Sequence, residues 1–283
     1  MPIVRHADPD AFLAASLPAI ASNEPMAAIF RAFAAGVKRR PLAPGERLYL
    51  ATLHDAGRCA AAMQRGDYGV FVETPEAALA THFADDLASE HPALQGVAGS
   101  RVNCEAFARR WQARTSRSAV MRAHLRHHVL TEVAPVPSAA GTMRPATDDD
   151  LDWLVDASLA FVAEAGLPDS AAQVRRNVPQ IHAHGRYWLW EDRDRVAFAG
   201  WSEAGDHDAR VGPVFTPPTF RGRGYATALV AHLSQHLIGS GRRRLFLTTD
   251  VTNPTSNAIY ARIGYRALSD YFHYDFVDAS DDV

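Results

Sequence analysis

A strand that stops at two prolines and resumes as a helix across a glycine-rich bend constrains this chain more than any other stretch. Residues 211–226 read Val-Gly-Pro-Val-Phe-Thr-Pro-Pro-Thr-Phe-Arg-Gly-Arg-Gly-Tyr-Ala. Pro213 cannot donate to a sheet ladder, so the strand is expected to pull away from a neighbour. An opened strand leaves peptide groups free to pair with an extended, amide-bearing ligand. The first N–H groups of a helix have no internal partner and, with the positive end of the helix dipole, form a seat for an anion. Gly222 and Gly224 permit unusual dihedrals and close approach of a phosphate. Arg221 and Arg223 add charge beside them. A diphosphate seat next to an amide-pairing slot is what coenzyme A requires. The competing readings are a plain strand-to-helix turn, or a broken dinucleotide fingerprint lacking a third glycine where Thr227 stands.

The rest of the chain is organised around one linker, Ala134-Pro135-Val136-Pro137-Ser138-Ala139-Ala140-Gly141, which divides it nearly in half. Beyond it the pattern predicts a short strand at 142–144 and a helix after Thr147, whose first turn is acidic. A second helix follows at 171–182, then a hairpin of 187–190 with 196–201 across Asp192–Arg195. Further strands are expected at 211–216, 244–249 and 271–276, and helices at 225–237 and 255–263. A weaker version of the same order, with its own hairpin across Gln64–Asp67, runs through residues 1–135. One or two helices broken at Pro18 and Pro25 open it. Two copies of one fold are therefore expected, divided as 1–138 and 139–283.

Downstream, Asn253-Pro254-Thr255-Ser256-Asn257-Ala258-Ile259-Tyr260-Ala261-Arg262-Ile263-Gly264-Tyr265 adds an Asn, a short helix with a Tyr, then Gly and an aromatic. With Arg221-Gly222-Arg223-Gly224-Tyr225-Ala226, which fits Arg/Gln-x-x-Gly-x-Gly/Ala, this resembles the GCN5-related N-acetyltransferase (GNAT) superfamily over about residues 142–276. The resemblance implies an α+β fold: two GNAT-like domains, each a mixed, mostly antiparallel sheet flanked by helices, with splayed central strands in the C-terminal one. It implies that Val214, Phe215 and Thr216 pair with pantetheine through their backbone, and that Arg221, Gly222, Arg223, Gly224, Tyr225 and Ala226 hold the pyrophosphate. Asn253 and Asn257 would contact the pantetheine–phosphate arm, and Tyr260 would protonate the leaving thiolate. Tyr260 could instead be a core tyrosine, and Asn253 only a helix cap. Residues 1–135 lack the glycine motif, so the first half is expected to be degenerate and to bind no coenzyme A.

The implied activity is acetyl transfer from acetyl-CoA to a primary amine, on a small molecule or a protein, by direct attack. A lysine-like amine, with a pKa of ~10.4, costs roughly 4 kcal/mol to deprotonate at neutral pH, whereas a thiol near ~8.5 leaves more easily. A base is thus worth more than an acid. Where the histone-acetyltransferase branch of the family has a glutamate, this chain has Arg210. Glu203 and His207 are the first candidates for the base, followed by Asp206, Asp208 and Glu164, or a water. Two alternatives are carried: a non-catalytic acyl-CoA sensor, and a tandem enzyme like mycothiol synthase.

Composition excludes other classes. A formal charge of −3 and a single lysine, Lys38, give no basic field for nucleic acid. Cys59 and Cys104 suit neither a disulfide framework nor a metal site, and His182 with His184 lack ligand company, so no metal is expected. No apolar stretch approaches membrane-spanning length, and residues 1–8 lack a signal peptide's apolar core. A soluble, cytoplasmic protein with no membrane partner is the expectation.

Overall fold

The computed structural model describes residues 2–21, 23–40, 42–66, 68–167 and 169–278. Met1, and Asp67 of the anticipated 64–67 turn, lie outside the described residues. The first half supplies β1 (Ile3–Arg5), α1 (Pro9–Ile20), α2 (Glu24–Arg39), β2 (Leu48–Asp55), β3 (Arg58–Arg65), β4 (Val70–Glu73), α3 (Ala77–Glu90), β5 (Gly96–Gly99), α4 (Arg101–Thr115) and β6 (Ser118–Leu130). After the linker come β7 (Thr142–Pro145), α5 (Leu151–Glu164), α6 (Ala171–Ala183), β8 (Tyr187–Asp192), β9 (Asp194–Glu203) and β10 (Asp208–Phe215). The chain then forms α7 (Tyr225–Gly239), β11 (Arg244–Asp250), α8 (Pro254–Ile263) and β12 (Arg266–Val277). Pro18 does not break α1; it sits in the last turn, where few downstream bonds remain to be lost. Pro25 falls at the start of α2, where a missing N–H is harmless.

Two compact units form: residues 1–127, 250–252 and 268–283 make the first, and residues 128–249 and 253–267 the second. In the first, strands run in the order β1-β2-β3-β4-β5-β12-β6. All its recorded neighbours are antiparallel except β4 and β5. The last strand, β12, thus pairs with β5, opposing Phe272 to Gly99 and Asp275 to Gly96. Alternate side chains of β2 feed two cores, Tyr49, Ala51 and Leu53 one beneath α3 and α4, Leu50 the other beneath α1 and α2. In the first of these cores Trp111 stacks on Phe276 at 5.0 Å. Both cysteines are buried thiols.

The second unit orders β7-β8-β9-β10-β11, with β10 and β11 parallel and the other recorded pairs antiparallel. Ala197 and Ala199 of β9 pack beneath α7, and Phe198 beneath α5 and α6. Each unit is a mixed sheet with helices on both faces. Each also contains a parallel β-α-β crossover: β4-α3-β5 in one, β10-α7-β11 in the other.

Those crossovers differ in one respect that matters for function. In the first unit, parallel pairing runs from Val70↔Val97 to Val72↔Gly99, almost the whole of β4. Close backbone approach holds this region shut: a Cβ on Gly99 would lie 2.5 Å from the Val72 carbonyl oxygen. In the second, pairing covers only Asp208↔Arg244, Ala209↔Leu245 and Arg210↔Phe246, and the remaining five residues of β10 have no partner in β11. The expected splay of the central strands is present.

The entry to α5 is held by a buried carboxylate. Asp150, fully buried, accepts from Arg144 (2.6 Å), Arg195 (2.5 Å) and the Thr147 amide (2.8 Å). These donors hold its pKa well below the usual carboxylate range, the Arg144 hydrogen bond contributing most. Asp150→Asn should cost about 2 kcal/mol, from weakened charged hydrogen bonds. Because the folded pKa is depressed, this stabilisation is complete above the unfolded value of ~3.9 and fades as pH falls towards the folded one. Thermal melts from pH 7 to pH 3 should therefore show a shallower acid decline for the variant than for the parent. A uniform offset at every pH would remove the assignment.

Candidate active site

The seat is built by the turn between β10 and α7. Gly222 (φ +76°) and Gly224 (φ +81°) both take left-handed backbone, which explains the glycines; a Cβ on Gly222 would have open space, so conformation and not crowding demands it. Gly224 is the N-cap of α7 and offers no side chain to its first turn. The Arg221 amide donates to the Pro218 carbonyl at 3.3 Å, and the next bonded amide is that of Ala228, which donates to Gly224. Among the described residues no acceptor takes the amides of residues 222–227. Six successive N–H groups at a helix start thus have no acceptor among the described residues, the kind of arrangement at which helix N-termini can receive anions.

The turn is braced from below. Tyr225 is buried, and its hydroxyl donates to Asp192 Oδ2 at 2.6 Å, tying the helix start to the β8–β9 turn. Arg221 donates to the Thr216 carbonyl (2.9 Å) and to Glu164 Oε2 (2.6 Å), while Arg223 lies over the Phe220 ring.

A slot leads into the seat. Opposite β9 the register shifts between Val211 and Val214, a bulge spanning Gly212 and Pro213 whose peptide bond is cis. Val214 and Phe215 pair with Ala199 and Phe198 on the β9 side only. The Thr216 hydroxyl oxygen is buried and has no hydrogen-bond partner among the described residues. An unpaired buried hydroxyl at the end of an unpaired strand edge suits a ligand rich in amides and hydroxyls.

Helix α8 carries the second motif. Asn253 caps it, accepting from the Ser256 amide at 3.0 Å, and Gly264 ends it at φ +108°. Asn257 donates to the Asn253 carbonyl (2.8 Å) and accepts from Thr249 Oγ1 (2.7 Å). Since Thr249 gives its one proton to Asn257, it must accept from His128 Nε2, 3.0 Å away. This relay joins residues 121 positions apart, a pairing that residue spacing does not reveal. Tyr260 is half-buried against the Tyr265 ring (5.9 Å between centroids) and the core beneath α7. Its hydroxyl makes no hydrogen bond among the described residues, and burial pushes its pKa up to about 12.

Of the base candidates, Glu203, His207 and Asp208 lie at the paired end of β10, whereas Glu164 meets Arg221 beside its open end. His207 is exposed and immediately precedes β10 where that strand is still paired, its carbonyl accepting from the Arg243 amide at 2.6 Å. Glu203 is bound to Arg186 (2.9 Å) and Arg242 (3.5 Å), both of which flank the Trp201 ring. Asp208 pairs with Arg244 and Glu164 with Arg221. Trp190 donates to the Ala140 carbonyl at 2.7 Å, and Trp188 lies against His236. His182 pairs with Asp148, and His184 Nδ1 donates to the Gln180 carbonyl at 2.7 Å. Among the described residues, no helix is long and apolar enough to cross a membrane.

A parallel strand pair that parts ahead of an uncapped helix, in a mixed sheet covered by helices, defines a GNAT-type fold. Residues 152–265 match the family model of the acetyltransferase (GNAT) family. The chain is similar along its whole length to a GCN5-related N-acetyltransferase from Sphaerobacter thermophilus: 17% identity, 100% of this chain and 97% of that one, TM-score 0.68. A GNAT-family acetyltransferase from Colwellia psychrerythraea gives 13% identity, 98% and 100% coverage, and a TM-score of 0.57. A tandem GNAT protein from the clavulanic acid biosynthesis pathway gives 14%, 98% of each chain, and 0.54. Identities this low speak for the fold alone. No curated protein sequence matches the chain.

Proposed function

We propose that this protein is an N-acetyltransferase that moves an acetyl group from acetyl-CoA to a primary amine by direct attack, with residues 139–283 as the catalytic half. The observation that carries this reading is the contiguity of the unpaired edge of β10 with the free amides of residues 222–227. Pantetheine would lie along Val214, Phe215 and Thr216, and the diphosphate at residues 221–226. Pairing outward from β10 would replace the ladder that β11 does not supply. Tyr260, kept protonated by burial, would hand its proton to the departing thiolate. Asn253, whose Oδ1 caps α8, and Asn257, held by Thr249 and the Asn253 carbonyl, would contact the pantetheine–phosphate arm. Residues 1–138 would take no acyl-CoA. Their corresponding strands stay paired, and the N-cap of α3 is Glu76, whose carboxylate would repel a phosphate.

One observation favours a second reading, a non-catalytic acyl-CoA sensor: Glu203, Asp208 and Glu164 are each committed to an arginine. Thiol release from acetyl-CoA, followed across a panel of amines, separates the two. Acceptor-dependent release is expected; tight acetyl-CoA binding without release from any amine would favour the sensor. Calorimetric titration should give one acetyl-CoA per chain, and two would overturn the assignment of the first half.

A further inference from the structure

Resting on the acetyl-transfer reading, we infer that the acceptor is an amine bearing an anionic group, and that Arg210 at the fork of β10 and β11 pairs with that group. Arg210 is the last residue of β10 with a partner in β11, opposite Phe246; the slot opens at the next position. Ala209 and Val211 on either side of it are buried in the core beneath α7, so strand alternation turns Arg210 to the opposite face, where it is exposed. Its one recorded hydrogen bond is to Thr248 Oγ1 on β11, at 3.4 Å. Among the described residues it forms no ion pair. Two neighbouring carboxylates are already neutralised, Asp208 by Arg244 at 2.7 Å and Glu203 by Arg186 at 2.9 Å.

A guanidinium cannot accept a proton, so this residue is no base. It acts on an acceptor in two other ways. Its charge disfavours the ammonium form of an amine bound beside it, which lowers the amine's pKa and eases the costly deprotonation. It also supplies a planar, bidentate partner for a carboxylate or a phosphate. The same charge works against a polybasic acceptor, for which like-charge approach is unfavourable. The position where a general base would be looked for is thereby a specificity determinant.

The test compares each carboxylate-bearing amine with its decarboxylated analogue, and a phosphate-bearing amine with its parent alcohol, at matched free-amine concentration. In the parent protein the anionic member of a pair should have a kcat/KM about tenfold or more above its neutral partner. Arg210→Gln should shrink that ratio to within about threefold, mainly through KM, and Arg210→Lys should keep part of it. Acetyl-CoA affinity by calorimetry should be unchanged in both variants. Turnover with no preference for the anionic member, or a preference that survives Arg210→Gln, overturns the inference while leaving acetyl transfer intact. Absence of turnover with every amine, despite bound acetyl-CoA, overturns the acetyl-transfer reading and this inference with it.

Discussion

Gly222→Asp should weaken acetyl-CoA binding by about a hundredfold or more, while Gly222→Asn weakens it far less. Both side chains tolerate left-handed backbone better than most, at a strain of about 1 kcal/mol, and both have open space around the Cβ position. The pair therefore shares its conformational cost and differs in charge. A carboxylate placed among amides that await a diphosphate repels it: at about 4 Å and an effective dielectric of about 20, two unit charges interact by about 4 kcal/mol. Screening reduces this, and about 2.7 kcal/mol already corresponds to a hundredfold. Calorimetry with acetyl-CoA at two salt concentrations checks it, with the gap between variants narrowing at high salt. Equal affinities for the two variants would mean that no phosphate sits at this turn.

Tyr260→Phe should lower kcat by about a hundredfold, the low end of the range for proton transfer by a side chain, with acetyl-CoA affinity little changed. The low end is expected because a thiolate is a tolerable leaving group, whereas the amine demands most of the proton chemistry. The pH profile carries a second check. Burial raises the Tyr260 hydroxyl's pKa to about 12, so the group stays protonated through neutral and moderately alkaline pH. Its sign is that of an acid lost only as pH rises through that value. In the parent, kcat should climb with amine deprotonation and show no fall before about pH 11. A kcat that Tyr260→Phe leaves unchanged across this range would make Tyr260 the core tyrosine that its packing against Tyr265 also allows.

Failure of either substitution would be informative about different atoms. The glycine pair reports on the backbone of residues 222–227, and the tyrosine on α8. Arg210 reports on the acceptor.

Much of this protein is local, and what is local was legible. Glycines at residues 222 and 224, prolines at 217 and 218, the acidic turn after Thr147 and the Asn253 cap each act on neighbours a few residues away. Their consequences, a helix start without a cap and a strand that ends early, follow from dihedral limits and missing donors. The element order of the second half and the glycine turn ahead of α7 were thus readable from residue types and spacing.

What only the tertiary structure decided is which partners distant residues found. Strand pairing leaves little trace in a strand's own sequence, because any suitable edge satisfies its backbone donors and acceptors. Hence β12, last in the chain, lies against β5, and its alternation gave no hint of it. Ion pairing is equally non-local. Glu203 and Glu164 look available as bases along the sequence, yet arginines 17 and 57 positions away occupy them. By itself the sequence determined where a helix starts without a side-chain cap. Three-dimensional packing decided that β10 leaves β11 after Arg210, because that point depends on which chains compete for one row of peptide groups.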